Sequence, residues 1–286
     1  MASTAYHHRS AQPQHHHFLL LFLFCTTLGA AALSFDYDFA AEPPGVAADF
    51  LFMGDSALVG DRINLTKLAV WSSGGVAHRQ LVRLWDDDDA GGQAASFTAA
   101  FSFAIGRNST NQADGMAFFV GSPRQDLPPD SPGGFLGLFS NSFYGYGSPR
   151  TVGVEFDTFR NQMWDPQGEG IDHIGIDVNN ITSKNTTMLP ILSLAGVMRA
   201  EIRYDAASTK MAATVRTVDG TNYSVETAVD LKAAGVPQDA AVGFSAATGN
   251  LTESHQLLSW SFHSTADGPS PAPPVVAESK KKRIKT

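Results

Sequence analysis

Cysteine is almost missing from these 286 residues: the only one, Cys25, lies in an amino-terminal apolar run. A disulfide framework and a thiolate metal site are thereby excluded, so stability must come from core burial and bound metal. Long apolar runs are scarce as well. The one from Phe18 to Ala32 is shorter than the ~20 residues that cross a bilayer. It follows a polar, histidine-rich start and ends in small residues, the three-part plan of a secretory signal peptide over residues 1–32, with cleavage expected near Ala32 and no transmembrane helix in the mature chain. A basic surplus is also absent, since 20 Lys and Arg face 28 Asp and Glu. The basic residues that do cluster, Lys280, Lys281, Lys282, Arg283 and Lys285, sit at the end, so the rest of the chain is acidic and a nucleic-acid partner is not expected. Internal repeats and long helical periodicity are lacking; residues 228–234 offer one turn.

What is present is alternation. Phe97, Ala99, Phe101, Phe103 and Ile105 are apolar at every second position, and Leu258, Trp260 and Phe262 repeat the pattern, which predicts half-buried antiparallel strands. Phe118 to Val120 and Ala241 to Ala246 alternate less, as central strands covered on both faces do. Gly, Pro, Asn and Asp clusters punctuate the intervals. The expected fold is an all-β jelly-roll sandwich over residues 33–264, followed by a Pro-rich linker and basic, solvated tail over 265–286.

The chemistry gathers between residues 152 and 179. Strand parity puts Glu155, Asp157 and Phe159 on one face and Val152, Val154 and Phe156 on the other. His173, Gly175, Asp177 and Asn179 share the parity opposite to Ile174, Ile176 and Val178, so a hairpin would bring the imidazole beside the carboxylates. Hard oxygen donors suit calcium, whereas an imidazole among carboxylates suits a first-row ion such as manganese. Two adjacent ions are implied. The Asp86 to Asp89 run is different: consecutive acids point in different directions and repel, which predicts a solvated loop.

Residues 154–161 (VEFDTFRN), Asp165-Pro166 and residues 173–179 (HIGIDVN) resemble the metal-binding signature of the legume-type lectins. Four further blocks agree in order: residues 33–39 (LSFDYDF), 113–119 (ADGMAFF), 133–139 (GGFLGLF), and 242–246 (VGFSA) leading to 258–262 (LSWSF). The resemblance implies a concanavalin-like sandwich and a non-catalytic carbohydrate-binding site requiring Ca2+ and Mn2+. By the same resemblance, Glu155 and His173 belong to manganese and Asp157 and Asp165 bridge both ions. The Phe159 carbonyl and Asn161 complete calcium, and Ser183 supports a manganese-bound water. Asp172 competes with Asp165 as the bridging ligand; Asp165 is preferred because Asp165-Pro166 matches the family and Asp172 has the opposite parity to His173.

The resemblance also implies a sugar site on four loops, with a cis Ala113-Asp114 peptide. Asp114 accepts from two sugar hydroxyls, charge-assisted bonds being the stronger kind. Gly134 offers its N–H, Asn161 its amide, and Phe159 its ring. Asn250 and Leu251 lie on the fourth loop, which sets sugar preference in the family. The partners implied are glycans or glycoproteins, and because such wet, shallow sites gain from avidity, a homodimer is expected. The role implied is plant defence or glycan recognition at the cell surface. Similar ectodomains precede a membrane helix and a kinase in plant lectin receptor kinases, and neither is read here.

Six Asn-x-Ser/Thr sequons, at Asn64, Asn108, Asn180, Asn185, Asn222 and Asn250, suit a secreted glycoprotein destined for the apoplast or the vacuole. The Asn250 sequon falls on a loop that rims the sugar site, and a glycan there would mask it; a lectin-fold interaction protein without sugar binding is the alternative this raises. A glycoside hydrolase is disfavoured, because retaining chemistry needs a second carboxylate about 5 Å away. The next same-face positions after Asp157 are Phe159 and Asn161.

Overall fold

A computed structural model describes residues 32–41, 45–85, 95–141 and 150–265. The apolar run before Ala32, the Asp86 to Asp89 segment and the tail beyond Thr265 lie outside the described residues. Those described form strands joined by turns and two short 3-10 helices, with no α-helix. In chain order the strands are β1 (Ser34–Asp38), β2 (Phe50–Gly54), β3 (Ala57–Val59), β4 (Arg62–Asn64), β5 (Ser73–His78), β6 (Val82–Arg83), β7 (Phe97–Gly106) and β8 (Gly115–Gly121). They continue with β9 (Thr151–Asp157), β10 (His173–Val178), β11 (Asn185–Met188), β12 (Gly196–Asp205), β13 (Lys210–Arg216), β14 (Asn222–Ala228), β15 (Asp239–Ala247) and β16 (Ser254–Ser264).

They build two antiparallel sheets of eight strands. One runs β14-β13-β12-β7-β16-β4-β3 with β1 beside β16, and the other runs β11-β10-β9-β8-β15-β5-β2 with β6 beside β15. Consecutive strands frequently lie in different sheets, the jelly-roll pattern expected from the sequence. The alternation in β7 has the predicted cause: Phe97, Ala99, Phe101, Phe103 and Ile105 are buried, and the residues between them are half-exposed. Their rings meet the second sheet, with Phe101 4.7 Å from Phe244 and Phe103 4.9 Å from Phe156, centroid to centroid. Trp260 closes the same cluster at 5.0 Å from Phe244. Burying each such ring contributes about 1.5–3 kcal/mol.

β8 and β9 are buried at every position. Their outer face is covered by the segment 122–141, whose Leu136, Leu138 and Phe139 pack with Ala117, Phe119 and Ala241 in a second core. This cover is why the two central strands lack alternation.

One expectation needs correction. Leu258 does not share a face with Trp260 and Phe262, because the β16 register against β7 shifts between Leu257 and Ser259. The bulge inserts one unpaired residue, so His255 and Leu257 are buried before it and Trp260 and Phe262 after it, while Leu258 is half-exposed.

Candidate functional site

The hairpin of β9 and β10 pairs His173 with Asp157 and Gly175 with Glu155. One ligand atom each from Glu155, Asp157 and His173 falls within 4.8 Å of the others, and all three residues are buried. Gly175 is needed there, since a Cβ would stand 2.1 Å from Ser183 Oγ and 2.3 Å from Glu155 Oε1. Asp165 enters from the loop after β9, with Oδ1 4.0 Å from His173 Nε2. Its other oxygen accepts the Asn161 N–H. Arg160 ties the rest of that loop, its Nη2 donating to the carbonyls of Gly168 and Gly170. The length of the loop thus does not loosen the placement of Asp165.

Buried carboxylates without cations are costly, and the site records that cost. Burial, then Asp165 and Glu155, pushes Asp157 well above the usual carboxylate range. Burial likewise raises Asp165 to about 6 against the Asn161 N–H. For His173 burial works downward, but its bond to Glu155 at 3.1 Å and the nearby charges outweigh it, and its value rises. Glu155 Oε2, Asp157 Oδ2 and Asn161 Oδ1 are buried acceptors with no hydrogen-bond partner. A donor set of converging carboxylates, one amide oxygen and one imidazole with lone pairs to spare fits divalent cations.

Ser183 Oγ lies 2.6 Å from both Glu155 Oε1 and Asp177 Oδ1. Asp177 is fully buried, and desolvation first and Glu155 second push its carboxyl well above the usual carboxylate range. Asp172, by contrast, faces away from the cluster. Its Oδ1 takes Arg107 Nη1 at 2.9 Å and its Oδ2 the Leu194 N–H at 2.8 Å. Of the two aspartates, Asp165 is the one beside the cluster.

Arg107 also donates to the Thr158 carbonyl at 3.0 Å. Thr158 Oγ1 donates to Glu253 at 2.6 Å, and Glu253 meets His255 Nε2 at 2.9 Å. This second buried network joins residues as far apart in sequence as Arg107 and Glu253. No local pattern foretells it.

Asp114, Gly134, Phe159, Asn161, Asn250 and Leu251 all line one cavity of about 520 Å³, with Trp71, Phe135 and Trp164 at its wall. The Ala113-Asp114 peptide is cis. Asp114 is 5% exposed, and its Oδ2 has no partner. Burial, then Glu253, raises its carboxyl to about 7 against the Gly249 N–H. Gly134 touches Asn161 so closely that a Cβ would stand 2.3 Å from Asn161 Oδ1. Any side chain at 134 would displace the amide. Among the sequons, Asn108, Asn185, Asn222 and Asn250 are exposed, while Asn64 and Asn180 are half-buried. The sequence reading gave no role to Arg107, Glu253, His255, Trp71, Phe135 or Trp164. Asp177 carried a signal, its shared parity with His173.

Residues 32–277 match the legume lectin domain family. The pea (Pisum sativum) lectin is 35% identical over 229 residues, covering 78% of this chain and 80% of that protein. The 2-acetamido-2-deoxy-D-galactose-binding seed lectin 2 of Cytisus scoparius is 40% identical over 209 residues, covering 69% and 81%. Among solved structures, the basic winged bean lectin with Tn-antigen aligns with a TM-score of 0.71 at 32% identity, over 82% of this chain and 99% of that one. With that match to family and fold, this chain belongs to the legume lectins, which are carbohydrate-binding proteins without catalytic activity.

Proposed function

We propose that the protein binds glycans or glycoproteins in the Asp114 cavity with help from calcium and manganese. The single observation that carries this is the meeting of two groups in one place: the unpartnered buried acceptors of Glu155, Asp157 and Asn161, and the cavity lined by Asp114, Gly134 and Asn161. In this reading Glu155 and His173 would hold manganese, the Phe159 carbonyl and Asn161 would hold calcium, and Asp157 and Asp165 would serve both ions. Bound cations would neutralise the carboxylates and stiffen the loop that presents Phe159 and Asn161. Ser183 orients Glu155 and, through it, the manganese side. Asp114 then accepts two sugar hydroxyls, the Gly134 N–H and Asn161 Nδ2 donate, and the Phe159 ring covers an apolar sugar face. The Cytisus scoparius relative makes N-acetylgalactosamine a first ligand to try. Removal of residues 1–32, secretion to the apoplast or vacuole, homodimer assembly, a free tail over 265–286 and a role in defence or cell-surface recognition complete the proposal.

A glycan array probed with calcium and manganese, and again with chelator, tests it. Binding should appear only with the ions, and Asp114→Asn should remove it while the fold survives, because the amide keeps the shape but loses the double acceptor. An Asp114→Asn protein that binds within about twofold of wild type, on the order of 0.4 kcal/mol, would refute Asp114 as the anchor.

A second reading is favoured by Asn250, which is exposed and lines the same cavity. A glycan on it would exclude external ligands and leave a masked lectin fold. Thr252→Ala removes the sequon; stronger glycan binding by this variant, with Asn250 occupancy measured by mass spectrometry, would support masking. Full occupancy with unchanged binding would show that the glycan does not obstruct the site.

A further inference from the structure

The short segment between β4 and β5 carries three exposed apolar residues: Leu68 at 72%, Val70 at 54% and Trp71 at 59% exposure. Trp71 is the unusual one. Its backbone lies in the left-handed region at φ 56, which a bulky residue adopts rarely, and its indole remains out in solvent. Both the strain and the exposure work against stability, so packing does not explain the residue.

Its position is nonetheless fixed. The Trp71 N–H donates to the Gly249 carbonyl at 2.9 Å, and the Thr248 N–H donates to the Ser72 carbonyl at 2.8 Å. Thr248 Oγ1 accepts the Ser72 N–H at 3.0 Å and donates to the Ala69 carbonyl at 2.7 Å. These four bonds join the segment to the Asn250 loop and set the indole in the wall of the cavity that Asp114, Gly134 and Asn161 line. Phe159, which reaches this cavity from a different loop, already supplies one aromatic face for a first sugar. A pyranose has one apolar face to lay on such a ring, and the cavity of about 520 Å³ has room for more than one pyranose.

We infer that Trp71 forms a second saccharide subsite, on which the residue next to the one held by Asp114 stacks its C–H face, so that the protein favours oligosaccharides over the matching monosaccharides. Stacking on an indole tolerates many sugars, because it uses C–H surface and not a hydroxyl pattern. The inference rests on the lectin reading above. It adds a residue outside the four loops to which the sequence resemblance assigned the sugar.

Calorimetric titration tests it with calcium and manganese present. The probes are the methyl glycosides of galactose, N-acetylgalactosamine and mannose, and di- and trisaccharides ending in the same sugars. The wild-type protein should bind an oligosaccharide about tenfold tighter than its monosaccharide, or about 1.4 kcal/mol. Trp71→Gly, which suits the left-handed backbone, should abolish that preference and leave monosaccharide affinity within about twofold. Trp71→Phe should restore part of it. Tryptophan emission should shift to the blue with oligosaccharide more than with monosaccharide, and Trp71→Gly should remove the difference. Equal weakening of both ligand classes by Trp71→Gly would assign the residue to loop support and overturn the subsite, as would a wild type with no chain-length preference. A wild type that binds no saccharide in the panel would overturn the lectin reading, and this inference with it.

Discussion

Two buried polar clusters flank Thr158, and they are balanced in opposite ways. In one, the Arg107 guanidinium lies against Asp172 and Glu253, and Glu253 also meets His255, so a permanent cation is built into the chain, although Arg107 Nε and Nη2 and Glu253 Oε2 have no hydrogen-bond partner. In the other, Glu155, Asp157, Asp165 and Asp177 share a single imidazole, and several carboxylate oxygens have no donor. A buried charge must be compensated or be titrated away. The first cluster is compensated by sequence-distant partners and can hold its loops unaided. The second depends on ions from solution, so the rigidity of the sugar-facing loop is conditional while that of its neighbour is not.

The largest effect is expected from breaking the self-sufficient cluster. Arg107→Met leaves Asp172 and Glu253 buried without a cation and should cost about 3–5 kcal/mol, read as a drop in Tm that is the same in chelator as in excess metal. A loss confined to the metal-loaded protein would mean that the two clusters are one. Metal removal should come next. At an ion concentration a hundred times Kd, binding contributes about 2.7 kcal/mol, or roughly 5–10 °C in Tm for a domain of this size. Asp165→Ala should lose metal by elemental analysis and Asp172→Ala should keep it; the reverse result would exchange their roles.

The smallest effect, and the one that sharpens the contrast most, is the pH response. Asp114 and Asp165 stand at about 7 and about 6 when folded, against 3.8 in the unfolded chain. Between these values the folded state binds more protons, so their contribution to stability is complete below pH ~4 and is lost as pH rises through 6 to 7. The metal-free protein should therefore gain about 2 kcal/mol on going from pH 7.5 to pH 5, visible as a Tm higher by about 5 °C. With ions bound, which hold the carboxylates ionised, that gain should vanish or reverse. A metal-free Tm that falls over this range would show that the second cluster is compensated after all.

Much of this was legible in the chain because it is local. Alternation in β7 and its loss in β8 and β15 gave the sandwich, and the parity of Glu155, Asp157 and His173 gave the cluster, since strand geometry fixes which side chains share a face. What escaped was set by tertiary distance. Arg107 finds Asp172 across 65 positions, and Trp71 finds Gly249 across a longer span still; neither contact leaves a periodic trace. The bulge at Leu258 was hidden for a different reason: Leu257 and Leu258 are both apolar, so the pattern fits either residue in the core.

That bulge has a consequence for the whole molecule. It acts as a phase shift in β16, so one strand keeps two independent faces in step with two different neighbourhoods. Beyond it, Trp260 and Phe262 serve the oily interior. Before it, His255 turns inward to meet Glu253 and Thr66 beside the binding loops. Were Leu258 paired in regular register with β7 instead, the odd-numbered side chains ahead of it would rotate to the opposite face, and Gln256 and Leu258 would take the places of His255 and Leu257. A single inserted residue thus lets His255 and Leu257 share the inward face with Trp260 and Phe262 although the spacing between the two pairs is odd.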